Sequence, residues 1–272
     1  MNPRGAISRV RCPRRHLVIL LPSALRRLIQ AVLPAALMTL PPVAGWAGEP
    51  NQTAAGDSPP TAQTLDQRLH AECPHAIAAQ LESQKREARH RPPPVDIVAR
   101  PALRQELLLR ARIDQQVRDF LRGQTDMPSE SDPRVQRMHD VDKDNIARLR
   151  HIVPQDGFPT ANMVGYDGVS AAWLILQHAG DDPRLQASLL PTVERMAQHG
   201  ELAAQDYALL ADRVLLAQGK KQRFGTQFNG LGDHMQMAPL EDPAHVDQRR
   251  ARLGLPPLAD YTCFLRVFYG QR

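Results

Sequence analysis

The sequence predicts a mainly α-helical protein, with one helical domain of six or seven helices and a small extended hairpin near residues 220–240. Three observations predict this class. Apolar residues recur at helical spacing along most of the chain after residue 65. Gly and Pro separate these stretches at short intervals, which is typical of helices joined by tight connections. The period changes after Gly219, where alternation and a glycine inside the run indicate an extended segment.

The first 47 residues have the pattern of a secretory signal peptide. They carry seven Arg and no acid, followed by an apolar run that ends in Gly45-Trp46-Ala47, with small residues where a signal peptidase cuts. Three prolines interrupt the run, which favours a cleaved signal over a stable membrane-spanning helix. We therefore expect a signal peptide over 1–47, a flexible linker over 48–64, a helical domain over 65–272, and a periplasmic or secreted protein with no membrane span after cleavage.

Removal of this segment changes the charge of the chain. The full sequence has a net charge of +5, with 34 basic and 29 acidic residues. Without residues 1–47, 27 basic residues remain against 29 acidic ones, so the net charge is near −2. The compositional argument for nucleic-acid binding is lost, because that function needs a basic face on the folded domain. We expect no nucleic-acid partner, and either a small polar ligand or another protein of the cell envelope.

Two cysteines, Cys73 and Cys263, lie after the predicted signal. In an exported protein they can form one disulfide that ties the two ends of the domain together. Two buried free thiols are an equally good interpretation of the sequence. The chain has neither a CxxC motif nor the His spacing of a structural zinc site, so we expect no metal and no cofactor.

The first predicted helices cover residues 65–90, with a break at Pro74, and residues 102–121. The second of them has an apolar stripe formed by Leu103, Leu107, Leu108, Ala111 and Val117. Asp114 and Arg118 are expected on a solvated face beside this stripe, which is the usual location of charged residues.

The next helix is predicted from Asp132-Pro133 to about Ile152, because Pro is favoured in the first turn of a helix. Asp142 and Asn145 lie three residues apart in it, so they can converge on one ligand. Ordinary polarity of a surface helix is the alternative explanation for this pair.

Three helices with short connections come next and should form an antiparallel layer. They cover about residues 167–178, 182–200 and 203–218. A short strand or extended loop is predicted at 220–228, with a partner at 235–240. The tail is helical again at about 243–253. Three residues in this helix are expected to form a structural clamp: Asp247, Arg249 and Arg250. Contact of this group with a ligand is the alternative.

The helix at 167–178 is strongly apolar, yet it ends in a polar pair, Gln177 and His178, just before Gly180. Gly is the usual residue at a helix C-terminus. A histidine there can act as a general base or a metal ligand. It can also be a structural residue that interacts with the free carbonyl groups of the helix end. Gln186 lies eight residues on and can face His178 across the turn.

Two further polar pairs lie downstream. Asp212 and Arg213 occur in an otherwise apolar helix, where a buried ion pair is expected because either charge alone would be costly to bury. Arg213 can instead bind a carboxylate or phosphate group of a ligand. Thr226 and Gln227 follow Gly225, which permits the close approach of a ligand.

These residues suggest acid–base chemistry on a polar substrate. We expect His178 to be the catalytic acid/base of a hydrolase or transferase. The substrate-binding residues are expected to be Gln177, Gln186, Arg213, Thr226 and Gln227. His178, Arg213 and Gln227 should line one shared cleft, with Asp142 or Asn145 opposite. The alternative is a non-catalytic helical binding or scaffold protein of the cell envelope, in which the same residues form a buried network. Both classes stay open at this point.

Three sequence blocks, AAWLILQHAG, ADRVLLAQGKKQRFGTQF and VDQRRARLGLPPL, lie within about residues 100–261 and are specific when taken together. On these blocks the chain resembles a family of exported bacterial proteins known only as a domain of unknown function. The resemblance implies a mostly helical, exported protein without an established catalytic mechanism. The chain has Gly180 where the resemblance leads us to expect Asp.

Overall fold

Nine α-helices are present in the residues that the computed structural model describes, which are 65–121, 128–230 and 235–269. In chain order these helices are α1 (Leu65–Glu72), α2 (Pro74–His90), α3 (Pro101–Gln116), α4 (Pro133–Asp156), α5 (Ala161–Gln177), α6 (Pro183–Gln198), α7 (Ala204–Ala217), α8 (Val246–Arg252) and α9 (Leu258–Tyr269). The predicted mainly α class is confirmed. The number exceeds six or seven because Pro74 divides the first helix in two and the aromatic C-terminal segment is helical.

Proline and aspartate define where several helices begin. Pro74, Pro101, Pro133 and Pro183 each stand in the first turn of a helix, where their missing N–H costs no hydrogen bond. Two of these helices also have a side-chain cap. The carboxylate of Asp132 accepts from the backbone N–H of Arg134 at 2.8 Å, and that of Asp182 accepts from the N–H of Leu185 at 3.1 Å.

A short antiparallel hairpin follows α7. Strand β1 (Phe228–Asn229) pairs with β2 (Gln236–Met237), with Phe228 opposite Met237. One further bridge joins Gln222 to Leu240. The extended hairpin predicted near residues 220–240 is therefore confirmed, and it packs the 222–227 loop against α7.

The largest apolar core lies between α3, α5, α6 and α7. α3 packs along α5, and α6 packs along α7. Leu107 of α3, Leu176 of α5 and Leu210 of α7 have no solvent exposure, so each contributes about 1.5–3 kcal/mol of apolar burial. This core fixes the end of α5, where Gln177 and His178 lie.

Gly165 interrupts α5 near its start. Its φ of 72° and ψ of 165° are non-helical, and only glycine adopts such a conformation without strain. The backbone N–H groups of Ala99 and Arg100 donate to the carbonyl groups of Asn162 and Met163. The segment just before α3 is therefore hydrogen-bonded to the first turn of α5, next to this break. α5 is thus longer than the predicted 167–178 helix, because one turn precedes the break.

A second apolar core joins the two ends of the described chain. Residues of α1 and α2 pack against α9, and a disulfide connects Cys73 with Cys263 across this contact, with Cα atoms 5.9 Å apart. This settles the question that the sequence left open between a bridge and two free thiols. The bridge closes a loop of 190 residues.

The predicted signal peptide and linker lie outside the described residues. Among those that are described, no helix is both long enough and apolar enough to cross a membrane.

Candidate functional site

A buried cluster of ionisable side chains lies where α3, α4 and the end of α5 meet. Arg118, just after α3, donates from Nη1 to Oδ1 of Asp114 at 2.9 Å and from Nη2 to both carboxylate oxygens of Asp142 at 2.6 Å. On the other side, Nδ1 of His178 lies 2.8 Å from Oδ2 of Asp114. The guanidinium group therefore bridges two carboxylates, and the imidazole extends the network by one member.

The prediction that Asp114 and Arg118 lie on a solvated face was wrong. Asp114 is 0% exposed and Arg118 is 6% exposed. Position 114 is seven residues after Leu107 and eleven after Leu103, so it continues the apolar stripe of α3 toward the core. The helical spacing alone therefore predicts that position 114 is buried. The charge of its side chain led to the opposite prediction.

His178 has one ring nitrogen bound and the other unpaired. Asp114 accepts the proton of Nδ1, which leaves Nε2 as the acceptor nitrogen of the neutral ring. Nε2 is buried and has no hydrogen-bond partner among the residues that the structure describes. Burial and the positive charge of Arg118 lower the pKa of His178 to about 4, against the attraction of Asp114. At neutral pH the ring is therefore uncharged, with a free lone pair.

The two carboxyl groups of the cluster differ in their titration. Burial favours the neutral form of Asp114, but His178 and Arg118 together hold its pKa below the usual value. Burial is the stronger influence at Asp142 and raises its pKa, although Arg118 opposes this. Asp114 is thus the acid best suited to fix the orientation of the imidazole.

Arg213 reaches the same region from α7. With the amide of Gln177 turned so that its oxygen faces the guanidinium group, this oxygen accepts from Nη2 at 3.1 Å and from Nε at 3.2 Å. Burial and the charge of Arg118 lower the pKa of Arg213, and its own charge helps to lower the pKa of His178. Within the described chain, no carboxylate forms an ion pair with Arg213.

Gln186 is buried, but it binds backbone and not the imidazole. Its Nε2 donates to the carbonyl oxygens of Leu176 at 2.9 Å and of Gln177 at 3.2 Å. These are carbonyl groups at the last turn of α5, which lack partners within the helix. Gln186 therefore holds the α5 terminus in place beneath His178.

Asp142 and Asn145, which were predicted to converge, bind different partners. Asp142 pairs with Arg118, whereas Oδ1 of Asn145 accepts from Nη1 of Arg110 at 3.2 Å. Asn145 also lines a cavity of about 210 Å³ between α3 and α4. Both residues are buried, so their alternative interpretation as surface polarity was wrong.

Asp212 organises the loop that follows α7. Its carboxylate accepts from the backbone N–H of Arg223 at 2.6 Å and of Phe224 at 2.9 Å, and from both N–H and hydroxyl of Thr226 at 2.9 Å. The expected ion pair with Arg213 is not formed. Consecutive helical residues point about 100° apart, so the two side chains enter different environments.

Gln227 belongs to this same loop. Its Nε2 donates to the carbonyl oxygen of Leu209 at 3.2 Å and to Oγ1 of Thr226 at 3.1 Å. The side-chain hydrogen bonds of Thr226 and Gln227 thus run to α7 and to their own loop, whereas the side chain of His178 binds Asp114 of α3. These contacts do not join the two groups, and the shared cleft of His178, Arg213 and Gln227 stays a prediction.

The C-terminal polar residues form a structural clamp, as expected. Asp247 accepts from the first backbone N–H of α9 at 2.7 Å. Arg250 is 0% exposed and donates to the carbonyl oxygens of Phe224 at 2.7 Å and Pro256 at 2.6 Å. Arg249 likewise binds carbonyl groups of the preceding loop.

The cluster has a donor set that resembles a metal site. One ligand atom each from Asp114, Asp142 and His178 lies within 4.8 Å of the others. Arg118, however, already bonds to both carboxylates. A cation would have to displace these charge-assisted bonds, so the arrangement fits the guanidinium group better than a metal ion.

A larger cavity of about 610 Å³ lies elsewhere, along α8 and α9 beside the disulfide. Its lining residues include Asp247, Leu258 and Arg266. The buried polar cluster is separate from it, since no residue of the cluster lines this cavity.

Comparison with protein families matches residues 101–272, which is more than half of the chain, to the family of unknown function DUF6624. The chain belongs to this family. The match begins at α3 and so includes every residue of the polar cluster. Comparisons with curated proteins and with solved structures gave no match.

Proposed function

We propose that this DUF6624 protein is an exported enzyme of the hydrolase or transferase class, with His178 as general base. The observation that carries the proposal is the unpaired Nε2 of a neutral, buried imidazole whose other nitrogen is fixed by Asp114. This pairing of an oriented ring with an ionised acid is the arrangement that general-base catalysis requires.

The proposed step transfers one proton. Nε2 of His178 takes a proton from water or from a substrate hydroxyl group as its oxygen attacks an acyl or phosphoryl centre. Asp114 stabilises the imidazolium that forms. The same proton then passes from Nε2 to the leaving group, and the ring returns to its neutral state. Arg118 orients Asp114 and Asp142 and does not itself react.

The side chain of His178 is 6% exposed, and Gly180 and Asp181, which follow in the turn after α5, are exposed. The proposal requires a movement that opens Nε2 to substrate, and this exposed turn is the segment next to His178 that can supply it. Access through a mobile turn is common where a reaction must exclude water.

A non-catalytic binding or scaffold protein of the cell envelope is the second candidate. It is favoured by the enclosure of the cluster, since Asp114 and Gln177 are both 0% exposed. In that case the network would serve to fix α3, α4, α5 and α7 relative to one another, and Nε2 would have no chemical role.

His178→Asn separates the two candidates. The Asn amide places a donor close to the position of Nδ1, so it retains the bond to Asp114 but lacks Nε2. We expect turnover on a panel of esters, phosphoesters, amides and glycosides to fall about 100-fold or more, with the melting temperature nearly unchanged.

His199→Asn is the matched control, because His199 occupies the equivalent position after α6 but is exposed. It should leave turnover unchanged. Wild-type protein without turnover on the whole panel, or full turnover in His178→Asn, would favour the scaffold.

Export is supported by the disulfide together with the Arg-rich, acid-free N-terminus. Disulfides persist mainly in oxidising compartments such as the periplasm, and Cys73 is bonded to Cys263. We expect N-terminal sequencing of the secreted or periplasmic protein to begin at or near Gly48. Intact Met1 in a cytosolic fraction would contradict export.

A further inference from the structure

Arg213 is a partly buried cation that has no acidic partner among the described residues. Arg118 engages both nearby carboxylates, those of Asp114 and Asp142, and so uses the negative charge of the cluster. Arg213 has only the neutral amide oxygen of Gln177, at 3.1 and 3.2 Å. Burial of a charge is costly unless it is paired, so buried arginines are normally found against carboxylates.

A second polar atom in this region also lacks a partner. Nε2 of His178 is buried and unbonded. Gln177 and His178 are consecutive at the end of α5, and the charge of Arg213 acts on the imidazole. A guanidinium group and an unpaired imidazole nitrogen therefore both lie near the end of α5.

We infer that Arg213 and His178 together bind an oxyanion, a carboxylate or phosphate group, and that the substrates of the proposed enzyme are anionic. This inference rests on the proposed function, since it uses the same Nε2. Nε and Nη2 of Arg213 bond to Gln177, so a bound oxyanion would take the place of this amide oxygen and accept from the same two N–H groups, whose spacing matches two oxygens of such a group. The negative charge of the anion raises the pKa of His178, so that at low pH the protonated ring donates from Nε2 to an oxygen of the anion. At neutral pH the ring stays the neutral base of the proposed step.

Other parts of the molecule fit an anion less well. The residues that line the cavity beside α9 include no unpaired buried polar group. Arg250 is also buried, and its Nη2 has no partner among the described residues. Its Nε and Nη1, however, donate to two carbonyl groups, and its guanidinium group stacks 4.8 Å from the ring of Tyr261, so it is held as a structural residue.

The test uses nuclear magnetic resonance of the protein with isotope-labelled histidine, titrated with inorganic phosphate or with acetate. We expect a saturable shift of the His178 ring signals and a rise in its pKa by one or more units, which corresponds to about tenfold tighter anion binding by the protonated ring. A response to only one of the two anions identifies the group that the site accepts.

Arg213→Gln should weaken the response about tenfold or more, because it removes the charge-assisted bonds. Gln177→Glu is a second variant that retains Arg213 but supplies an internal carboxylate, so it should also suppress the response even if Arg213→Gln does not fold. Arg104→Gln is the control, since Arg104 pairs with Asp167 in an exposed ion pair away from the cluster.

An absent response in the wild type, or one that persists in both Arg213→Gln and Gln177→Glu, would overturn the inference. Its failure is distinct from failure of the proposed function. Turnover of neutral substrates that depends on His178 but not on Arg213 would contradict only the inference of an anionic substrate. Anion binding without any turnover would contradict only the proposed catalytic function.

Discussion

Two buried aspartates, Asp212 and Asp114, are both 0% exposed, yet they are satisfied in different ways. Asp212 accepts three backbone N–H groups and one hydroxyl from a single loop, so its partners are fixed by the chain. Asp114 is bound by side chains that can rotate or titrate, and its histidine partner ends in an unpaired nitrogen. The hydrogen bonds of Asp212 hold a loop in place. The network of Asp114, in contrast, ends in a nitrogen atom that can still accept a hydrogen bond.

Loss of the Asp212 carboxylate should have the largest effect on stability. Asp212→Ala leaves four donors of the loop without an acceptor, so we expect the free energy of unfolding to fall by about 3–5 kcal/mol in urea titrations followed by circular dichroism. Thr226→Ala removes one hydroxyl group, which donates to Asp212 and accepts from Gln227, and should cost about 1 kcal/mol. A loss below about 1 kcal/mol in Asp212→Ala would show that the two aspartates do not differ in this way.

The His178 region should instead respond to pH. Its folded pKa of about 4 lies below the unfolded value of 6.5, so the unfolded chain binds the proton first as the pH falls. The stability that His178 contributes is complete above about pH 6.5 and is lost progressively toward pH 4, by about 3 kcal/mol.

His178→Asn, which cannot titrate, should have a flatter stability profile across this window. The quantity to measure is the difference between the two profiles from pH 4 to 7, because the acids outside the cluster contribute equally to both and the difference reports His178 together with its partner Asp114. Parallel profiles would mean that the pKa of His178 is the same in the folded and the unfolded protein. In that case the His178 cluster would not differ from the Asp212 loop in the way proposed.

Most of the fold could be predicted because helical spacing and Pro or Gly punctuation are local signals. The starts at Pro133 and Pro183 and the break at Pro74 follow directly from the residue types. The tail was harder, since no helix was predicted after residue 253, yet Leu258–Tyr269 is helical. This helix packs against α1 and α2 and is joined to them by the disulfide, and these long-range contacts are not visible in a local pattern.

The candidate site could be predicted only in part, because its members come from four separate helices. His178 and Gln177 were identified from polarity at the end of an apolar helix. Asp114 and Arg118 were not, since a charged residue on a helix is exposed in most proteins and only a long-range partner makes its burial tolerable. The predicted ion pair of Asp212 with Arg213 was also wrong. The actual partners of Asp212 are mainly backbone N–H groups of a loop, and these cannot be identified from a pattern of side chains.

The smallest effect should come from Gln177→Glu, and it sharpens the comparison most directly. In the Asp212 loop a carboxylate already satisfies every donor near it, but near Arg213 the acceptor is a neutral amide. Glu has the same length as Gln and would convert the contact to a charge-assisted pair, so we expect the free energy of unfolding to rise by about 1 kcal/mol at pH 7. Gln186→Glu is the control, since Gln186 donates to carbonyl groups of α5 and a carboxylate there would be destabilising. If Gln177→Glu destabilises the protein as much as Gln186→Glu does, then Arg213 is not an uncompensated cation, and the two regions are alike in having no unused bonding capacity.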